Sequence, residues 1–402
     1  MKILQLDIAG FRSLKKVSWK PGDLNVIIGA NGSGKSNLLR FLELMSISAQ
    51  FKRLGKHIQS LGGMDPIIWD GQATSISFTV KASLVNAKEN VDHEGVIYKL
   101  ELARLGKGSS YKISNELLST YSQIQGGKQS NPAIVLERTG SGVYLFDHEE
   151  QIMSPRDDLG FFKNPESETY LSIPSAIVTD RLMLLFRHEL ASWAIYHDSH
   201  VHKDAIIRQA AVARVEERVD PDGQNLIPVL HTLYSDDRDF KKDINSAMHA
   251  AFGDDFGELV FPPAADQRIQ LRVRWKSLKR EQSAADLSDG TVRFLLLMTI
   301  LASPSPPPLI AIDEPETGLH PAMLPIIAEY AVDAATRTQV IFTTHSPQFL
   351  DAFTDTKPTT TVAKWETGET TLKVLEAEQL EYCLKEYSLG ALFKSGELED
   401  MG

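Results

Sequence analysis

Leu24-Asn25-Val26-Ile27-Ile28-Gly29-Ala30-Asn31-Gly32-Ser33-Gly34-Lys35-Ser36 decides the fold of this 402-residue chain. Residues 24–28 are a short apolar run with the composition of a buried strand. Gly29 to Ser36 fits G-x-x-x-x-G-K-[ST], and Leu38, Leu39, Leu42 and Met45 follow at helical spacing. Strand, glycine-rich turn and helix together make a phosphate cradle. Backbone N–H groups curl around phosphate oxygens, and the helix N-terminus adds positive dipole. Asn31, Gly32, Ser33, Gly34, Lys35, Ser36 and Asn37 are thus candidate nucleotide-binding residues. Lys35 is expected to reach the β- and γ-phosphates, and Ser36 to ligate Mg²⁺.

Upstream, residues 1–8 alternate apolar and polar and read as a strand, with a turn at 10–13 and a second strand at 14–19. Downstream, the matching half of the site lies near the other end of the chain. An apolar strand at 309–312 runs into Asp313 and Glu314, and another at 339–344 runs into His345, with a helix at 321–336 between them. Strand–helix–strand alternation predicts a parallel sheet, whose carboxyl edge is where ligands bind. Asp313 is placed to hold Mg²⁺ and Glu314 to act as general base on the attacking water. His345 is the third candidate catalytic group beside Glu314 and Lys35. Glu316 reads equally as an assisting carboxylate or a solvated turn residue.

Between these halves the pattern loosens. Residues 75–85, 95–105 and 133–146 read as antiparallel strands, and 181–196, 204–218, 225–234 and 239–252 as helices. A strand at 269–275 and a helix at 291–302 lead back to the nucleotide motifs. The expected organisation is an N-terminal ATPase half at 1–50, an inserted lobe at 51–280 and a C-terminal ATPase half at 281–402. No heptad pattern persists, so a long coiled-coil arm is not expected.

A formal charge of −11 argues against a protein that coats nucleic acid over its whole surface, yet allows a local basic groove. The single cysteine, Cys383, excludes an intrachain disulfide. No signal peptide and no apolar run of bilayer length is visible, which predicts a soluble cytoplasmic protein without membrane contact.

Taken together, Gly29–Ser36, Leu287-Ser288-Asp289-Gly290-Thr291, Asp313-Glu314-Pro315-Glu316 and Thr344-His345 resemble the ABC-type ATPases of the RecF/SMC branch. The stand-alone RecF-like predicted ATPases of bacteria are similar too, at Phe11-Arg12-Ser13-Leu14 and at Thr317-Gly318-Leu319-His320-Pro321. The resemblance covers about a quarter of the chain, at its two ends. It implies a P-loop fold of mixed sheet and helices, the cofactors ATP and Mg²⁺, and hydrolysis of ATP. It also implies that Ser288 and Gly290 contact the nucleotide of a second copy, giving an ATP-dependent homodimer, with residues 318–320 crossing the interface. Asp289 departs from the glycine of many signatures and would repel phosphate. Arg12 and Ser13 touch nucleotide phosphate by the same analogy. A Mg²⁺-sensing glutamine is expected at Gln59 or Gln72.

What the ATPase acts on is less legible. Arg268, Arg272, Arg274, Lys276, Lys279 and Arg280 are the densest basic cluster, and Arg272, Arg274 and Lys276 share one face of a strand. That face suits a phosphate backbone, although a solvated hairpin has the same pattern. His197, His200 and His202 with Asp198 match no zinc spacing and read as a polar loop. The leading expectation is a DNA-associated ATPase in repair or defence against foreign DNA. A nucleotide switch for a protein effector is the alternative. A transporter subunit is disfavoured by the roughly 250 residues between P-loop and signature.

Overall fold

The computed structural model describes residues 1–84, 95–106, 110–121, 133–140, 142–147, 152–155, 166–174, 180–197, 200–354, 356–376, 380, 384 and 387–401, with backbone only at 147 and 399. Strands Lys2–Phe11 (β1) and Leu14–Trp19 (β2) precede Leu24–Ile28 (β3), and the P-loop joins β3 to the helix Lys35–Ser48 (α1). A short helix, Leu54–Ser60 (α2), follows. Ser75–Ser83 (β4), Gly95–Arg104 (β5), Tyr111–Tyr121 (β6), Ile134–Thr139 (β7), Gly142–Asp147 (β8) and Ile152–Pro155 (β9) are successive strands. Arg181–Ala191 (α3) leads into the short strand Ala194–Tyr196 (β10). Leu226–Asp236 (α4) and Arg238–Phe252 (α5) form a helical pair. Around them lie the short strands Ala211–Val212 (β11), Phe256–Val260 (β12), Pro263–Ala264 (β13), Arg268–Ile269 (β14), Arg272–Trp275 (β15) and Gln282–Ser283 (β16). Asp289–Leu301 (α6), Leu309–Asp313 (β17), Leu324–Ala335 (α7), Gln339–Thr343 (β18) and Pro347–Asp351 (α8) carry the distant motifs, and Thr359–Glu366 (β19) pairs with Glu369–Val374 (β20) as a hairpin.

Two large sheets result. One is antiparallel, in the order β2-β1-β4-β5-β6-β7-β8-β9; the other runs β10-β17-β18-β3-β19-β20. In the second, the pairs β10–β17, β17–β18, β18–β3 and β3–β19 are parallel. Residues of the parallel strands alternate between two cores, as period-2 backbone requires. Ile27, Leu309, Ala311 and Ile341 join α1 and the antiparallel sheet in one core. Val26, Ile28, Ile310, Ile312, Val340 and Phe342 join α4 to α7 in the other. Helix α1 thus lies between the sheets, which is why Leu38, Leu39, Phe41, Leu42, Leu44 and Met45 are all buried.

The P-loop fold of mixed sheet and helices is as expected. The expected inserted lobe at 51–280 shares both sheets with the flanking segments. β4 pairs along most of β1, so the antiparallel sheet starts in the N-terminal segment, and β10 is an edge strand of the nucleotide sheet. The physical cause is α1: apolar on both sides, it needs a sheet over each face.

Smaller differences share one reason, tertiary contact overriding local pattern. Residues 204–218 form a 3₁₀ turn at Ile206–Arg208 and a two-residue strand, with Arg208 turned into the protein and Val215 left exposed. Residues 192–196 leave the helical path because β10 pairs with β17. Residues 133–146 split into the hairpin β7–β8, and 269–275 into β14 and β15. Cys383 lies outside the described residues. No helix among the described residues is long and apolar enough to cross a membrane.

Candidate nucleotide site

The P-loop is held from outside by the C-terminal hairpin. Gly34 has φ 100°, and a Cβ there would lie 2.1 Å from the Thr370 hydroxyl of β20. That hydroxyl is 2.9 Å from the Ser33 carbonyl and 2.7 Å from the Ser13 hydroxyl. Asn37 Nδ2 donates to the same Ser13 hydroxyl at 2.8 Å. A side chain at 34 would break this bracket, so glycine is required there. Lys35 is buried, and its ammonium donates to the carbonyls of Gly29 at 2.7 Å and Ala30 at 3.1 Å. Ser33 is 3% exposed, and among the described residues its hydroxyl has no hydrogen-bond partner. No side chain caps the α1 N-terminus, whose dipole is therefore left for an anion, and Asn31 and Gly32 are exposed at the loop tip.

Asp313 closes β17, in register with Thr343 of β18. Its carboxylate accepts from the Thr343 hydroxyl, with Ser36 close by. Burial alone would raise its pKa, but His197, Thr343 and Ser36 hold it below the usual carboxylate range. Ser36 and Asp313 thus present oxygen ligands side by side, and an ionised carboxylate beside a hydroxyl is a donor set that fits Mg²⁺.

His197 is the residue the sequence reading placed wrongly. It follows β10, whose neighbour is β17. Its Nε2 is 3.3 Å from Glu43 Oε2 on α1, and its Nδ1 is 3.9 Å from Asp313 Oδ2. Burial lowers its pKa, yet the carboxylates of Asp313 and Glu43 outweigh this and push it up to about 9. The polar-loop reading therefore fails at His197. The missed signal is Ala194-Ile195-Tyr196, a β-prone triplet absorbed into an expected helix. His200 and His202 have ring centroids 6.3 Å apart, and Asp198 lies outside the described residues. Gln59 and Gln72 are both exposed, and no described hydrogen bond takes either to Asp313.

Glu314 sits just beyond the strand with φ 46°, a left-handed conformation that is strained for a side-chain-bearing residue. Its N–H donates to the Thr343 carbonyl at 3.1 Å. Its carboxylate lies 3.0 Å from His345 Nδ1, and both side chains are solvent-accessible. Glu316 behaves differently. Its side chain is 8% exposed, accepts from the Thr344 hydroxyl and from the His345 N–H, and is pushed up in pKa by burial. Glu316 therefore braces the loop that carries His345, and neither sequence reading of it, assisting or solvated, describes that role.

Ser288 caps α6 by accepting from the Thr291 N–H at 3.1 Å. A Cβ on Gly290 would meet the Gly318 carbonyl at 2.9 Å, so glycine lets the two loops touch. Among the described residues no hydrogen bond joins Ser288 or Gly290 to the P-loop. Arg12, at φ 44° in the β1–β2 turn, lies over Phe11 and near Arg40 and Glu43; burial, and then Arg40, lower its pKa. In the basic cluster, Arg274 pairs with Glu258 and Glu281, Arg272 binds Gln270, and Arg268 binds the Ala210 carbonyl.

Known proteins share this fold. A family model described as an AAA ATPase domain matches residues 1–146; one described as an AAA domain, putative AbiEii toxin, Type IV TA system, matches 182–351. The SMC head bound to the C-winged helix domain of ScpA superposes with TM-score 0.59 at 14% identity, covering 95% of this chain and 100% of that one. The chain has the fold of the SMC-type ATPase head, and each half matches an ATPase-domain model. A second head of this type, with an extended coiled coil bound to the C-terminal domain of ScpA derived from Pyrococcus furiosus, gives TM-score 0.57 at 12% identity over 96% of this chain and 99% of that one. DNA replication and repair protein RecF of Citrifermentans bemidjiense is 41% identical over 54 residues, 13% of this chain. RecF of Marinomonas sp. (strain MWYL1) is 40% identical over 53 residues, also 13% of this chain. The matched stretch spans only 15% and 14% of those relatives' own lengths.

Proposed function

We propose that this ABC-type ATPase hydrolyses ATP with Mg²⁺ and that two copies close head to tail over two nucleotides. The observation that carries the reading is the assembly of Lys35, Ser36, Asp313, Glu314 and His345 along one edge of a single parallel sheet, although they come from opposite ends of the chain. Lys35 moves from the Gly29 and Ala30 carbonyls onto the β- and γ-phosphates. Ser36 and Asp313 would hold Mg²⁺, which when bound neutralises charge on the phosphate oxygens. Glu314 takes the proton of the attacking water. His345 keeps that carboxylate oriented and faces the γ-phosphate. The exposed Ser288 and the α6 N-terminus that it caps complete the partner's site. ATP turnover of wild type against Glu314→Gln and Lys35→Ala tests this. Loss in both variants is expected; undiminished turnover in either refutes the assignment.

We further propose that closure acts on DNA in the cytoplasm, in repair or defence, supported by the similarity of the matched stretch to RecF. One observation favours the other reading, a switch for a protein effector. Arg274 is already paired with two carboxylates, which weakens the basic strand as a phosphate track. ATPase rates with and without single- and double-stranded DNA decide: stimulation supports DNA, and an unchanged rate supports the effector.

A further inference from the structure

Arg208 is a buried cation that the nucleotide chemistry leaves without a role. Its side chain is 1% exposed, and it sits in the only stretch where an expected long helix is replaced by a 3₁₀ turn. Among the described residues, the contacts of its guanidinium serve the approach to α6, apart from one to its own loop. Nε donates to the Val201 carbonyl at 2.7 Å. One terminal nitrogen donates to the carbonyls of Ala284 at 2.9 Å and Leu287 at 2.6 Å. The other pairs with the carboxylate of Asp289. Leu287 and Asp289 flank Ser288 on both sides. A planar guanidinium with five N–H groups in fixed directions suits the clamping of Ala284, Leu287 and Asp289 at once; an ammonium does not.

We propose that Arg208 is a positioning residue for the signature segment: it fixes the backbone on either side of Ser288 and turns Asp289 away from the phosphate that Ser288 meets in the partner copy. This inference rests on the sandwiched-dimer reading and adds to it. Asp289 sits at the N-terminus of α6, where its charge suits the helix dipole but opposes an incoming phosphate. Pairing with Arg208 keeps the first effect and removes the second. The sequence departure at 289 thereby acquires a reason: the carboxylate and the arginine form one latch.

The latch acts on the neighbour's nucleotide, so mixing experiments test it. The probe is Mg-ATP, and the readout is turnover by full-length chains. Arg208→Lys keeps the charge and loses the fork; Asp289→Asn loosens the same latch from the solvent side, in case the buried substitution folds poorly. Each is expected to lower turnover about 10-fold or more, the scale of a small misplacement at a reacting centre, with ATP affinity of the monomer unchanged. Each is then mixed with Lys35→Ala, whose signature is intact but whose own P-loop is dead. Ser288→Arg mixed with Lys35→Ala sets the ceiling for recovery. Recovery by the latch variants to that ceiling is the expected result. Recovery by Ser288→Arg without recovery by either latch variant overturns the role of Arg208. Failure of all the mixtures overturns instead the sandwich on which it rests.

Discussion

Two charged clusters in this molecule differ in how their carboxylates are answered. At the nucleotide edge, Asp313, Glu314, Glu316 and Glu43 gather around His197 and His345. In the antiparallel sheet, Glu116 is fully buried beside Arg138 and Tyr98. Glu116 is answered by the protein alone. It accepts from the Tyr98 hydroxyl at 3.0 Å and from the N–H groups of Tyr170 and Leu171 at 2.7 and 2.9 Å. Burial still pushes its pKa up. At the nucleotide edge, Glu314 and His345 are open to solvent, and among the described residues the Ser33 hydroxyl has no hydrogen-bond partner. A closed cluster that answers its own carboxylate pins chain segments together; an open one is built for something that arrives. Charge count alone does not separate the two.

This contrast breaks if substitutions have the wrong kind of effect. The largest is expected from Lys35→Ala: a loss of ATP affinity of about 100-fold or more by calorimetry, since the ammonium meets two phosphates, with the melting temperature little changed. Glu314→Gln is expected to retain binding and to lower turnover by about 10²–10⁴, the range for a general base. Glu116→Ala inverts the pattern. It strands two N–H groups, a tyrosine hydroxyl and the buried Arg138 in the core. Urea unfolding should show a loss of about 3 kcal/mol, while the folded fraction binds ATP normally. His197→Ala sharpens the comparison because it touches both kinds of role. Without it, Glu43 and Asp313 repel each other across the gap that the imidazolium fills. The Mg²⁺ concentration for half-maximal turnover should shift several-fold, and an unchanged Mg²⁺ dependence would make His197 purely structural. The smallest effect is expected at the basic strand. Because Arg274 is already paired, its reversal to Glu should leave the salt slope of any DNA binding nearly constant.

The sequence makes the nucleotide edge legible and the clusters around it much less so. Gly29 to Ser36, Asp313, Glu314 and His345 are each fixed by an apolar strand on the N-terminal side, a local pattern that survives tertiary packing. His197 is not, because β10 is three residues long and its strand character exists only through pairing with β17. Arg208 is hidden for the same reason: its segment has helical spacing, and only the folded chain shows that its guanidinium is taken by Leu287 and Asp289. Glu116 reads as one polar residue of a strand that the sequence pattern did not reveal. The sheet shared between the N-terminal segment and the residues after 50 is not legible, because the register between β1 and β4 links residues about 70 positions apart, beyond any local signal.

The central claim is that the far half of the chain serves two sites, Glu314 in its own and Ser288 in the neighbour's. The most direct test is the solution mass of Glu314→Gln by light scattering, with Mg-ATP and without nucleotide. The account predicts a doubling of mass with Mg-ATP, abolished by a second substitution, Ser288→Arg. A mass that stays at one copy with saturating Mg-ATP would contradict it.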